Sequence, residues 1–327
     1  MEGMKRLALI ACLAVASCGS RHGTEIHLAL QPPSTNNYPS HFAQWLGFYE
    51  QEGLHVTIAQ IAGASKVLEA LIGSSADVGG GVYEQTIQMA AEGRDVVSFV
   101  SLLRSPNFAV AVAPGRSIKS IADLRGKTAG VSSVGSPSQF YLNHLLIGAR
   151  LLPGDVSTVG IGMGATAVAA VERGQVDAGT LFGSAITALE ARQPNLVLLA
   201  DTRTPEGLRA VFGVDDYPAS CLLARAEWLK ANPDAARRMA KAVLRSLAWI
   251  REHSPEEILA RIPAEFRIGD PAAELAAIRL AKPMYSIDGR INPESADAVR
   301  RVLAGSLDRV RTAQIDLSRT YTNDFLN

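Results

Sequence analysis

Two stretches of the chain join a glycine-rich turn to a short apolar helix, a pattern suited to holding a ligand against backbone. Ile61-Ala62-Gly63-Ala64 opens a helix that ends at Gly73 and leads into Asp77-Val78-Gly79. Gly162-Met163-Gly164-Ala165 opens another that ends at Gly174 and leads into Asp177-Ala178-Gly179. The first N–H groups of a helix have no intrahelical acceptor, its macrodipole favours an anion there, and small residues let a ligand come close. Candidate contacts of this kind are Ala64, Ser65, Gly81 and Val82 in the first half. In the second half they are Gly135, Ser136, Gly162, Met163, Gly164 and Ser184. Gln31, Asn36 and Asn37, in a turn-forming run, could add hydrogen bonds, while Tyr38, Tyr83 and Phe182 could stack on an organic ligand or cover it. Plain turn geometry is the competing account of the glycines, and core packing that of the tyrosines. Arg104, after Val100-Ser101-Leu102-Leu103, could pair an anionic head group bidentately. A solvated loop arginine or a salt bridge between the two halves competes with that role.

Covalent chemistry has little to stand on. The six histidines form no His-Glu-x-x-His run, and there is no Gly-x-Ser-x-Gly elbow or phosphate-binding Gly-Lys-Ser loop. Of the three cysteines, Cys12, Cys18 and Cys221, no two have metal-ligand spacing. Cys221 sits in the apolar run Ala219-Ser220-Cys221-Leu222-Leu223 and reads as a small buried hydrophobe. No cofactor and no metal are expected.

The elements that must position these residues alternate between strand and helix. Glu25–Leu30, Val56–Ile61 and Ala76–Gly79 read as strands; Phe42, Trp45, Leu46 and Tyr49 share one face of a helix closed by Glu52-Gly53. A helix with Val67, Leu68, Leu71 and Ile72 inward separates the second strand from the third. Val96–Leu103 and Ala109–Val112 continue the pattern. A second set follows, with strands at Lys127–Val131, Thr158–Ile161, Ala178–Phe182 and Leu196–Ala200 around helices at Ser138–Ile147 and Ala165–Glu172. Such alternation predicts parallel sheets with crossover helices, and the echo between halves predicts two similar α/β lobes. From about Ala226 the chain reads as helical, with Met239, Val243, Leu244, Leu247 and Ile250 in one stripe, Ser254 capping Pro255-Glu256-Glu257, and a last helix over about Pro293–Ala313 packed on the first lobe.

The N-terminus follows another logic. Lys5 and Arg6 precede the apolar run Leu7–Ala16, which is too short to span a bilayer but suits a secretory signal. Val15-Ala16-Ser17-Cys18 resembles the bacterial lipobox, so Cys18 is the expected site of lipidation, with ordinary signal cleavage as the alternative. The 327 residues allow two lobes, and the apolar fraction of 47% supports two cores. Lysines plus arginines number 32, as do aspartates plus glutamates, which gives no basic footprint for nucleic acid or for a broad membrane patch.

Local motifs now carry a resemblance. They are Trp45-Leu46-Gly47-Phe48-Tyr49-Glu50-Gln51-Glu52-Gly53-Leu54, Ile121-Ala122-Asp123-Leu124-Arg125-Gly126-Lys127-Thr128, Ala169–Ala178 and Asp288-Gly289-Arg290-Ile291-Asn292-Pro293-Glu294. In this order the chain resembles the periplasmic solute-binding proteins for nitrate, sulfonate, taurine and thiamine-precursor uptake, from about residue 25 to 310. The resemblance implies a type II periplasmic-binding-protein fold, α/β and two-lobed, each lobe a mixed, mostly parallel sheet flanked by helices, with the ligand cleft between lobes. Residues 1–18 would then be the signal and 19–24 a tether; 25–111 with 217–327 would form lobe I, and 112–216 lobe II. Crossover strands are expected near Ala109–Pro114 and Val211–Ala219. It further implies a monomer that captures a small solute, delivers it to an ABC permease in the inner membrane, and is not an enzyme. The rival readings are a ligand-sensing subunit of a membrane receptor, and an enzyme similar to the pyrimidine-forming thiamine biosynthesis proteins.

Overall fold

A computed structural model describes residues 23–267 and 270–327. The stretch expected to be a signal, with Cys18, lies outside the described residues. Ten strands are described: β1 (Thr24–Leu30), β2 (Leu54–Gln60), β3 (Val78–Val82), β4 (Val96–Ser101), β5 (Phe108–Val112), β6 (Thr128–Val131), β7 (Ser157–Gly160), β8 (Ala178–Phe182), β9 (Leu198–Asp201) and β10 (Ser220–Arg225). The helices that accompany the first sheet's opening strands are α1 (Tyr38–Trp45), α2 (Phe48–Gln51), α3 (Ala64–Ile72) and α4 (Glu84–Ala91). Those of the middle of the chain are α5 (Pro137–Gly148), α6 (Ala165–Glu172), α7 (Ser184–Arg192) and α8 (Pro205–Phe212). The C-terminal third adds α9 (Ala226–Ala231), α10 (Pro233–Glu252), α11 (Pro255–Arg261), α12 (Pro271–Ala281), α13 (Pro293–Ala304) and α14 (Asp308–Thr312).

The strands form two mixed sheets of five, in the orders β2-β1-β3-β10-β4 and β7-β6-β8-β5-β9. Each holds three parallel strands, β1 to β3 in the first and β6 to β8 in the second, and an antiparallel strand pairs beside the last of them: β10, which comes after them in the chain, and β5, which comes before. The sequence echo has a physical counterpart here. The Asp77 carboxylate accepts the His27 backbone N–H at 2.9 Å, and that of Asp177 accepts the Thr128 N–H at 2.8 Å. Each aspartate stands just before the third parallel strand of its sheet and satisfies a donor of the first parallel strand, so the same residue solves the same problem twice.

Burial follows the sequence pattern. β1 alternates at its start and buries Ile26 and Leu28, whereas Phe108–Val112 is buried throughout, as a central strand covered on both faces must be. The α10 stripe buries Met239, Val243, Leu247 and Ile250, and Ser254 caps α11 by accepting the Glu257 N–H at 3.2 Å. Cys221 is fully buried.

Three expectations change. The single helix read through Phe42–Tyr49 is two, because Gly47 takes φ 69° and breaks the ladder between α1 and α2. Ala109–Val112 belongs to the second sheet, paired with β8 and β9, so the chain first passes between sheets at 102–107, ahead of Ala109–Pro114. The last helix stops at Ala304 and resumes only as short α14; the tail then turns once at Leu317–Arg319 and returns to the first sheet, Tyr321 bridging to Ser98 on β4.

Leu222 lies on β10, between β3 and β4, and is fully buried. Leu222→Ala is expected to cost roughly 2–5 kcal/mol in urea unfolding, the range for a leucine truncated in a packed core.

Candidate functional site

All three parallel strands of each sheet release the chain at the same edge, and there it enters a helix: β1 to α1, β2 to α3, β3 to α4, β6 to α5, β7 to α6 and β8 to α7. Ligands of α/β sheets bind outside these carboxyl ends. A cavity of about 220 Å³ lies there, and its walls come from both sheets. Ser34, Thr35 and Asn36 line it from the β1–α1 turn; Gly162, Met163 and Gly164 from the β7–α6 turn; Thr180 to Gly183 from the end of β8; Ala167 and Ala185 close it. Two larger hollows, about 400 and 440 Å³, share Asp95 and Ala226 at the opposite edge of the first sheet. They are open and edged by satisfied ion pairs such as Arg319–Asp95 at 2.7 Å, so the smaller cavity is the better candidate site.

Of the residues singled out from sequence, Asn36, Gly162, Met163, Gly164 and Phe182 line this cavity. Gly164 opens α6 with φ 58°, a backbone state that a side chain would strain, and Met163 is 64% exposed beside it. The approach of the two sheets is narrow: a Cβ on Gly183 would stand 3.7 Å from both Thr35 Oγ1 and Asn107 Nδ2.

The others lie elsewhere. The Asn37 amide holds its own turn, accepting the Ser34 N–H at 2.8 Å and donating to the Gln31 carbonyl at 2.9 Å. His41 Nε2 meets the same Gln31 carbonyl at 3.1 Å, and burial lowers that imidazole's pKa to about 4, so it is neutral. Tyr38 is buried and donates to Glu274 on α12, and Tyr83 is buried with its hydroxyl 2.6 Å from Thr320 Oγ1. Both tyrosines are core residues, the competing account given above. Ala64 offers its carbonyl to Gln85 Nε2 at 3.0 Å, and Ser65 beside it is exposed. Gln85 also accepts the Val82 N–H at 3.1 Å, and it occupies the space that a Cβ on Gly81 would need. Gly135 donates to Gln139 Oε1 at 2.6 Å, and Ser136 shares its hydroxyl with Ser132 and Ser138. Ser184 is the first residue of α7. Arg104 lies in the first passage between sheets, its N–H on the Met284 carbonyl at 2.9 Å. Desolvation raises the half-buried Asp216 carboxyl to about 6, against the opposing charge of Arg104.

Thr35 and Thr180 were not foreseen. Thr180 is 2% exposed and its Oγ1 has no partner among the described residues; Asn36 Oδ1 and Asn107 Oδ1 share that condition. A buried hydroxyl in an otherwise small or apolar strand, Ala178-Gly179-Thr180-Leu181-Phe182, was the signal available in sequence. Unpaired polar atoms cost free energy where they are buried, and two of these residues, Thr180 and Asn36, line the cavity, so a polar ligand that reached them would relieve that cost. No lining residue carries a charge. Among the described residues there is no group of three or more His, Cys, Asp or Glu able to hold a metal, and no helix long and apolar enough to cross a membrane.

Comparison with known proteins agrees with this architecture. The family model described as NMT1/THI5 like matches residues 34–258, and the chain belongs to that family. A 4-amino-5-hydroxymethyl-2-methylpyrimidine phosphate synthase of Schizosaccharomyces pombe is 34% identical over 142 residues, 43% of this chain and 40% of its own length. The chain thus spans less than half of that relative. YtlA of Bacillus subtilis, whose name describes it as a binding protein, is 22% identical over 90% of this chain and 88% of its own. A solved structure from Bordetella bronchiseptica RB50 has TM-score 0.81 at 33% identity, covering 93% of this chain and 96% of that one. The periplasmic aliphatic sulphonate-binding protein SsuA of Escherichia coli has TM-score 0.75 at 20% identity, covering 93% and 99%. The fold is that of the periplasmic binding proteins.

Thr180→Val removes an unpaired hydroxyl at constant shape. It is expected to leave the ligand-free protein as stable or to raise its unfolding free energy by about 1 kcal/mol in urea titrations, while weakening capture of a polar ligand. A loss of that size without ligand would show that the hydroxyl is already bonded.

Proposed function

We propose that the chain is the solute-binding component of a bacterial ABC importer, which captures a small organic solute between its two sheets and hands it to a membrane permease. The observation that carries this reading is the cavity walled by both sheets, with Thr180 Oγ1 and Asn36 Oδ1 beside it and unpartnered. A ligand touching both sheets binds only the closed arrangement and so shifts the population towards it. The uncharged lining, with Phe182 and Met163 on its apolar side, suits a flat polar ring such as a pyrimidine better than a bare inorganic anion. We place the protein in the periplasm as a monomer, tethered by lipid on Cys18, with lobe I formed by the first sheet and the C-terminal helices. The same architecture would serve a sensing subunit on a membrane receptor.

A second reading is favoured by one finding, the 34% identity to a pyrimidine phosphate synthase. Against it, no lining residue offers a titratable or thiol group for chemistry.

Thermal denaturation of the chain with 4-amino-5-hydroxymethyl-2-methylpyrimidine, taurine or nitrate separates these ideas. A saturable rise with the pyrimidine is expected, equivalent to about 2.7 kcal/mol at a hundredfold excess over Kd. A rise with nitrate alone would overturn the preference for a ring, and no rise with any of the three would count against capture. Release of a new pyrimidine phosphate, read by mass spectrometry, would establish the synthase instead.

A further inference from the structure

Behind the cavity, the two sheets are joined through one buried carboxyl group. Glu84, the first residue of α4, is fully buried, and its Oε1 accepts the Tyr141 hydroxyl at 2.5 Å and the Tyr217 hydroxyl at 3.3 Å. α4 follows a strand of the first sheet, α5 with Tyr141 follows a strand of the second, and Tyr217 lies on the second passage between them. Tyr141 stacks on Phe108 with centroids 4.8 Å apart and parallel planes, and meets Phe182 of the cavity wall at 6.4 Å. Phe212 stacks on Tyr217 at 4.1 Å, so the carboxyl is enclosed by aromatic rings.

We propose that Glu84 is a positioning residue of the cleft: as the neutral acid it fastens the two sheets together through Tyr141 and Tyr217, and loss of its proton loosens them. Its second oxygen, Oε2, has no partner among the described residues. A negative charge shared with that atom would lack a donor, which costs more than an unpaired hydroxyl in the same place. The titratable groups facing it are Tyr141 from α5, Tyr217 from the passage and Cys221 from β10, and none of them is a cation. Burial raises its pKa to about 7; the hydroxyls and the N-terminus of its own helix pull the other way and do not offset burial.

The sign follows from linkage. A carboxyl raised in the closed form and ordinary in an opened, hydrated one holds more protons when closed, so closure weakens as pH rises between about 4.5 and about 7 and is then constant. The closed-to-open ratio falls by up to about tenfold per pH unit across that window.

The inference rests on the proposed opening and closing of the cleft, but its test needs no ligand. Small-angle X-ray scattering on the full chain from about pH 5 to about pH 8 should show the radius of gyration rising with pH. Glu84→Gln, neutral at every pH, should keep the compact value throughout, and Tyr141→Phe should be more expanded than the parent at the acid end. Should Glu84→Gln fail to fold by circular dichroism, Tyr141→Phe decides alone. A parent profile flat with pH, a Glu84→Gln profile that rises as the parent's does, or a Tyr141→Phe variant as compact as the parent in acid would each overturn the proposal. A protein that binds none of the tested solutes can still pass this test, and one that binds can fail it, so the two readings stand or fall separately.

Discussion

The parallel alignment of three strands in each sheet is the constraint on which the site depends. Parallel strands cannot be joined by tight turns; each must hand the chain to a helix that travels back along the sheet. Every such hand-over happens at one edge, so that edge collects helix starts, small residues and unpaired N–H groups whatever the ligand is to be. Asp77 and Asp177 secure the arrangement locally by satisfying a first-strand donor at the level where the third strand begins. With two sheets built alike, the two edges face one another, and the space between them acquires walls from both.

Within that edge, polar groups divide between two tasks. Some are consumed in holding the loops: Asn37 closes the β1–α1 turn, Gln85 ties the end of β3 to the start of α3, and Ser132, Ser136 and Ser138 satisfy one another at the start of α5. Others have no such duty, as with Thr180 Oγ1 and Asn36 Oδ1. A polar residue type near the cleft is therefore a poor guide to ligand contact until its hydrogen bonds have been followed to their ends.

That distinction explains what the amino-acid sequence could and could not reveal. Strand and helix types and the paired architecture, announced by the glycine-then-aspartate echo, follow from local periodicity and turn chemistry, both written in neighbouring residues; the work of Asp77 and Asp177 as acceptors does not. Gly162, Met163 and Gly164 were legible because a turn between strand and helix has a local signature. Tyr38 and Tyr83 were not, since their hydroxyls are engaged by Glu274 and Thr320, 236 and 237 residues further on. Nor could spacing show that Glu84 would meet Tyr141 and Tyr217, which share no element with it. The position of the first passage between sheets was missed for a related reason: Phe108–Val112 is equally apolar whichever sheet it joins, and only its partners decide.

The place of β10 has a further consequence, for the order in which the molecule can be completed. It fills the gap between β3 and β4 in the first sheet, yet more than a hundred residues, including all of the second sheet, separate it in the chain from β4. Until residue 225 is present, β3 and β4 have no neighbour to join them, and the first core remains open along its middle. Contacts this distant in sequence form slowly, because a long loop must be closed before any pairing is gained. The second half, whose five strands run consecutively from Phe108 to Asp201, has no such wait. A chain emerging from its N-terminus therefore finishes its middle before its beginning, and whatever machinery handles the nascent polypeptide meets an unfinished first sheet for most of its length.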